Sequence, residues 1–240
     1  YTWGETVDQA RRMAAHLQSR GLGAGSHIAI LSKNCAHFFM AELAIWMAGG
    51  TTVAIFPTEG PDTIRFVLDH SDAKLLFVGK LDVWNDMKAG VPEGLPLITL
   101  PLAPKVDAAK SWDALIAGTA PLADSPVRPA EDLATLIYTS GTTGMPKGVM
   151  HNFNNFAWAL DAGIRRLPMG KDDRMLSYLP LAHVVERVLV EHGWLRTGMH
   201  VFFADSLDTF TTDMQRARPT IFFSVPRLWV KFQQGVHKKL

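Results

Sequence analysis

The 240-residue chain holds a single cysteine, Cys35, so no internal disulfide framework exists and a reducing cytosol is the expected setting. It lacks a charge bias. Lys and Arg number 24 against 23 Asp and Glu, with no basic block, which excludes the electrostatic footprint of nucleic-acid binding. It lacks a signal peptide, because Tyr1-Thr-Trp-Gly-Glu5 has neither a basic start nor an apolar run. It lacks a clean membrane span: the longest apolar stretch, Phe38 to Phe56, contains Glu42 and is broken by Gly49-Gly50-Thr51-Thr52. With no basic amphipathic helix either, a cytoplasmic location is expected, and peripheral contact at the inner membrane is left open. His37, His70, His192 and His200 show no paired spacing for a metal, and none is expected. The chain has no initiator Met, and His237-Lys-Lys-Leu240 stops inside a predicted helix, so it reads as a fragment of a longer protein.

What is present suits a packed core: 48% of residues are hydrophobic and 20% charged. Thr2-x-x-Glu5 forms a capping-box pattern ahead of Val7, Ala10, Ala14 and Leu17 at helical spacing. Apolar runs at 27–32, 52–56, 74–78 and 97–100 read as buried strands. They alternate with predicted helices at about 36–48, 61–70 and 82–88. Such alternation predicts a mostly parallel sheet covered by helices. Residues 101–130 are Pro-punctuated and read as a surface connection with one short helix, Trp112 to Ala117. A strand is predicted at 133–138. A helix carrying Phe153, Ala157, Leu160, Ile164 and Leu167 on one face follows the next loop. Strands are then predicted at 175–178, 200–203 and 221–225. Helices are predicted at 184–196 and 210–217, with a last one opened by Pro226.

The loop at Tyr138-Thr-Ser-Gly-Thr-Thr-Gly-Met-Pro-Lys-Gly-Val149 carries the chemistry. Its glycines permit close backbone approach to a ligand. Consecutive backbone N–H groups in such a turn form a nest for anionic oxygens. The hydroxyls of Thr139, Ser140, Thr142 and Thr143 donate to the same oxygens, and Lys147 adds a mobile cation. Together these parts suit a polyphosphate. The pattern is not a Walker A motif, since Pro146 precedes Lys147 and Gly148 follows it.

T-S-G-T-T-G-x-P-K-G-V resembles the signature of the adenylate-forming superfamily. Tyr178-Leu-Pro-Leu-Ala-His183-Val-Val-Glu186-Arg187 and Ser224-Val-Pro-Arg227-Leu-Trp229-Val-Lys-Phe232 are similar to segments of its long-chain fatty acid–CoA ligase branch, as is Tyr1-Thr-Trp-Gly-Glu5. The resemblance implies an α/β fold of layered, Rossmann-like subdomains, namely the large N-terminal domain of such enzymes. One subdomain would cover 1–170 and the start of a second 171–240. It also implies that Thr139, Ser140, Gly141, Thr142, Thr143, Gly144 and Lys147 bind the ATP phosphates. Thr142, Lys147 and His183 would serve catalysis, and His183, Glu186 and Trp229 the acyl substrate. ATP, Mg2+ and CoA are the implied ligands, with the Mg2+, adenine and ribose ligands outside these 240 residues. The implied reaction makes an acyl-adenylate and pyrophosphate from a carboxylate and ATP, then a CoA thioester. The fragment alone is expected to be inactive.

Plainer readings stand beside these. Glu186 and Arg187 form an intrahelical surface pair, and Trp229 and the Phe202-Phe203 and Phe222-Phe223 segments are core. An adenylating enzyme for another acid, or a non-catalytic nucleotide- or acyl-binding module of the same fold, are the alternative functions.

Overall fold

Thr2 starts the first element. Its hydroxyl accepts from Glu5 N at 3.3 Å, and Glu5 Oε2 accepts from Thr2 N at 2.7 Å, which closes a capping box ahead of helix α1 (Trp3–Ser19). Ala10, Met13, Ala14 and Leu17 turn inward from it. The computed structural model describes residues 1–139 and 144–237.

The apolar runs become strands β1 (His27–Leu31), β2 (Thr51–Ile55), β3 (Ala73–Val78) and β4 (Leu97–Thr99). With the short β5 (Lys110–Ser111), β6 (Leu133–Thr139) and β7 (Lys147–Asn152) they form one seven-stranded sheet, ordered β5-β4-β3-β1-β2-β6-β7. All neighbours are parallel except β6 and β7, which form an antiparallel hairpin. Side chains of β1 alternate between two cores. Ile28 and Ile30 pack on one face with α1 and α2 (Ala36–Ala48), while Ala29 and Leu31 pack on the other with α3 (Pro61–His70) and α4 (Trp84–Met87). Helix α2 is apolar nearly all round and almost wholly buried, as the centre of a layered fold requires.

Two further helices complete this part: α5 (Trp112–Ala117) and α6 (Phe153–Arg166), the latter capped reciprocally by Asn152 and Asn155. A second, two-stranded parallel sheet pairs β8 (Arg174–Ser177) with β9 (His200–Phe203). Between its strands lie α7 (Val184–Glu186), a π-helical turn at Arg187–His192 and α8 (Gly193–Thr197). Helices α9 (Phe210–Ala217) and α10 (Pro226–His237) follow. The two parts pack closely. Trp3 of α1 stacks on Trp194 of α8 at 4.2 Å with a 7° interplanar angle. Lys80, after β3, donates to Asp205 O at 2.7 Å and pairs with the Asp205 carboxylate. No helix among the described residues is long and apolar enough to cross a membrane.

Four features depart from expectation. β7 was read as part of a loop running straight into α6. Its side chains mix Lys147, Val149 and His151 with Gly148, Met150 and Asn152, so neither face carries an apolar repeat, as an edge strand allows. β5 is two residues long and too short to signal itself. The helix predicted at 184–196 is interrupted by the π-turn. Residues 221–225 are not a strand: Thr220 N and Ile221 N both donate to Arg174 O beside β8, and no ladder continues. Phe223 in this segment, and Phe202 on the outer face of β9, are more than a third exposed rather than core.

Gly90 ends the short 3-10 turn after α4, and a Cβ there would lie 2.2 Å from the Pro61 carbonyl oxygen. Gly90→Ala is therefore expected to destabilise the chain by about 1–3 kcal/mol through overpacking. Gly163, inside α6 with open space at its Cβ position, gives the opposite sign: Gly163→Ala should stabilise by up to about 1 kcal/mol. Urea denaturation of both variants checks the pair.

Candidate functional site

The described flanks of the motif loop, Thr139 and Gly144, stand at the end of the β6–β7 hairpin. Thr139, the last residue of β6, lies opposite Lys147, the first of β7, and Tyr138 lies opposite Gly148. A Cβ at Gly148 would sit 3.2 Å from the Tyr138 ring, so this glycine lets the phenol lie flat across the hairpin. The phenol oxygen is then 2.8 Å from His70 Nδ1, which ties β6 to the end of α3. Gly144 has φ of +98°, a conformation that suits glycine where the chain turns back toward β7. Lys147 belongs to a strand rather than to a loose loop, and its side chain is exposed. Ser140, Gly141, Thr142 and Thr143 lie outside the described residues.

A cavity of about 510 Å³ opens beside this tip. Its volume falls within the small-molecule range of about 300–1,000 Å³. Thr139, Gly144 and Pro146 border it from the hairpin, Phe56 and Glu59 from the end of β2, and His183 from the second sheet's side. Parallel strands carry ligand crevices at their carboxyl ends, and β2 and β6 both deliver their following residues here. His183 caps α7, and its Nδ1 accepts from Val185 N at 3.3 Å. With Nδ1 engaged as acceptor, the neutral ring carries its hydrogen on Nε2 and offers a donor. The structure thus brings Thr139 and Gly144 onto one cavity with His183, which is distant from them in sequence. A larger cleft of about 820 Å³ around Asp82, Trp84 and Lys105 borders none of the motif residues.

Residues 1–239 match the family model described as AMP-binding enzyme. The chain belongs to this family. A long-chain-fatty-acid–CoA ligase of Rattus norvegicus is 30% identical over 258 residues, covering 100% of this chain and 39% of that protein. Long chain acyl-CoA synthetase 2 of Arabidopsis thaliana is 30% identical over 264 residues, again with 100% and 39% coverage. The chain therefore spans about two fifths of the length of these relatives. Among solved structures, the A-PCP didomain of carboxylic acid reductase from Segniliparus rugosus, in complex with AMP, gives a TM-score of 0.83 at 23% identity over 100% of this chain and 38% of that one. A benzoate CoA ligase from Burkholderia xenovorans gives 0.80 at 24% identity, covering 95% and 46%. These likenesses establish the layered α/β fold of AMP-binding enzymes for this chain.

Of the other described residues singled out, Lys147, Glu186 and Trp229 do not line the cavity. Glu186 is 2% exposed and turns into the protein, where Oε1 accepts from Ser177 Oγ at 2.7 Å and Tyr178 N at 3.0 Å. Burial pushes its carboxyl up to about 7, against the hydrogen bonds from Ser177 and Tyr178 that pull it down. Arg187 is fully buried and does not pair with Glu186. Its guanidinium forms an ion pair with Glu42 of α2 and lies 3.8 Å from Glu191 Oε2. The surface-pair reading fails because both side chains are buried, Glu186 at the end of α7 and Arg187 at the start of the π-turn. Trp229 is half exposed on α10, with Phe222 and Phe232 rings 5.5 and 5.9 Å away.

Ligating atoms of Glu42, Glu191 and His192 lie within 4.8 Å of one another, a cluster invisible to sequence spacing. The Arg187 guanidinium stands against two of these groups, paired with Glu42 and 3.8 Å from Glu191 Oε2. Burial lowers Arg187 to about 10 and raises Glu191 to about 7. Burial, helped by the Arg187 charge, drops His192 to about 3. Glu42 signals itself in the sequence only as the one acid within an apolar helix.

Glu191's ordinary value is 4.5, so between pH 4.5 and 7 the folded chain keeps a proton that the unfolded chain releases. Its contribution is full below 4.5 and is lost as pH rises through 7. Glu191→Gln removes this dependence, so the stability of the variant relative to wild type should rise from pH 5 to pH 8 in urea denaturation. A pH-independent difference would rule the assignment out.

Proposed function

We propose that the chain forms the phosphate-binding and acyl-facing part of an ATP-dependent long-chain fatty acid–CoA ligase. The observation that carries this reading is the meeting of the phosphate-loop flanks, Thr139 and Gly144, with His183 on one cavity. In it, Thr139, Ser140, Gly141, Thr142, Thr143 and Gly144 cradle the β- and γ-phosphates of ATP. Thr142 and Lys147 offset the charge that grows on departing pyrophosphate as a carboxylate oxygen attacks the α-phosphorus. His183 donates from Nε2 to the carboxylate and orients it. The acyl-adenylate then passes its acyl group to the CoA thiol. Mg2+ accompanies the nucleotide phosphates, and we assign no ligand for it within residues 1–240. We keep the subdomain boundary at 170/171 and a cytoplasmic location.

The long-chain assignment draws support from relatives named as long-chain ligases at about 30% identity. A second reading, an adenylating enzyme for another acid, draws on the benzoate and o-succinylbenzoate ligases among the solved structures. Activity of the intact parent protein on acids of graded chain length separates them.

The 240-residue chain is expected to bind ATP without turning it over, because it spans only 39% of its relatives. Lys147→Ala should weaken ATP binding about tenfold or more by calorimetry, as expected for one charge-assisted phosphate contact. Pyrophosphate exchange or acyl-CoA formation by the purified chain would overturn the expected inactivity. Unchanged ATP affinity in Lys147→Ala would overturn the assigned role of the lysine.

A further inference from the structure

The segment that delivers His183 to the cavity is not held by backbone pairing. β8 ends at Ser177, and Pro180, which has no N–H, interrupts any ladder beyond it. Two backbone groups flanking the proline, Leu179 O and Leu181 N, are instead satisfied by one side chain from the other part of the molecule. Asn34, in the turn after β1, donates from Nδ2 to Leu179 O at 2.6 Å and accepts at Oδ1 from Leu181 N at 3.2 Å. Its planar carboxamide stands in for a neighbouring peptide unit. The contact with an obligate acceptor on one side and an obligate donor on the other fixes which way the amide faces.

The same Nδ2 also donates to Ser177 Oγ at 2.8 Å, and Ser177 Oγ donates onward to Glu186 Oε1. Glu186 Oε1 closes the circuit with Tyr178 N and, at 3.4 Å, with Asn34 Nδ2. Asn34, Ser177 and Glu186 are all buried, at 8%, 0% and 2% exposure. In so dry a setting each unmade bond leaves a costly orphan, so the circuit is satisfied as a unit or broken as one. The Asn34 end is itself anchored: Ser32 Oγ accepts from Lys80 N at 3.0 Å, and Lys33 N donates to Lys80 O at 2.8 Å. The His183 end is anchored by His183 N donating to Pro180 O at 2.9 Å.

We propose that Asn34, Ser177 and Glu186 form a positioning clamp that holds the 177–183 segment on the carboxyl end of β1 and thereby aims the His183 ring into the cavity. This rests on the reading of His183 as the group that meets the ligand. None of the three clamp residues borders the cavity, so each acts through His183 and none touches the reacting atoms. The clamp also accounts for the burial of Glu186: its carboxylate accepts from Ser177 Oγ, Tyr178 N and Asn34 Nδ2.

The test is histidine-ring nitrogen NMR of the 240-residue chain, with the His183 signal assigned by its loss in His183→Asn. Wild type is expected to show the Nε2–H tautomer, with Nδ1 bonded to Val185 N–H. Asn34→Ala, Ser177→Ala and Glu186→Ala should each collapse this to exchange-averaged ring signals. Glu186→Gln, which keeps an acceptor oxygen, should restore the wild-type pattern. Ser177→Ala removes only a hydroxyl, so it keeps the test open where Asn34→Ala fails to fold. Unchanged His183 ring signals in folded Ser177→Ala and Glu186→Ala overturn the clamp. A second arm measures ATP and dodecanoate binding by calorimetry. If His183→Asn leaves both affinities unchanged while the clamp variants alter the ring signals, the ligand role of His183 fails and the clamp stands. If His183→Asn and Ser177→Ala weaken binding alike, and the double variant no more than either, both stand.

Discussion

The pairing of Glu42 with Arg187 is the constraint on which the arrangement depends. Helix α2 is the middle of the molecule, buried on every side, and it carries one acid. A carboxylate there without a counter-charge would be prohibitively costly, and the guanidinium that answers it comes from 145 residues further on, in the π-turn. Such a pair adds little net stability over apolar residues of the same shape, but removing one partner typically costs about 3–5 kcal/mol. Its effect is to exclude alternatives. The arrangement in which the π-turn meets α2 through this pair is also the one in which His183 lines the cavity and Glu186 lies beside Asn34.

Local signals made much of the fold legible. Helices α2, α3, α5, α9 and the start of α10 fall where apolar spacing, Pro at a first turn and a left-handed Gly49 place them. What stayed hidden depends on partners. β7 is a strand because β6 is beside it, and residues 221–225 are not one because β8 offers them a single carbonyl. The π-turn reflects the burial of Arg187, Glu191 and His192, which a helical repeat alone does not encode. The site divides in the same way. The loop and His183 are read from short motifs, whereas Asn34 and Glu42 act on residues more than 140 positions away: Asn34 leaves no local mark, and Glu42 stands out only as a lone acid in an apolar helix. Trp229 shows the converse limit, since a segment can resemble its family while its side chain lies off the cavity.

The site is an assembly of strand ends. The turn after β1 supplies the clamp, the turn after β2 one wall, and the turn after β6 the motif loop, all on one edge of the parallel sheet. Only the last is followed by an antiparallel partner, β7, and the two stems are hydrogen-bonded from Leu133 to Thr139 and from Lys147 to Asn152. Paired stems on both sides fix where the chain leaves and re-enters the sheet at Thr139 and Lys147.

The stacking of Trp3 on Trp194 has an optical consequence. Two indoles stacked nearly parallel with centroids 4.2 Å apart couple their excited states, and this coupling depends steeply on separation and angle. One indole belongs to the first helix of the chain and the other to the segment bridging β8 and β9. Their exciton signal in circular dichroism is thus a native gauge of whether the second sheet is seated on the first, readable without a label.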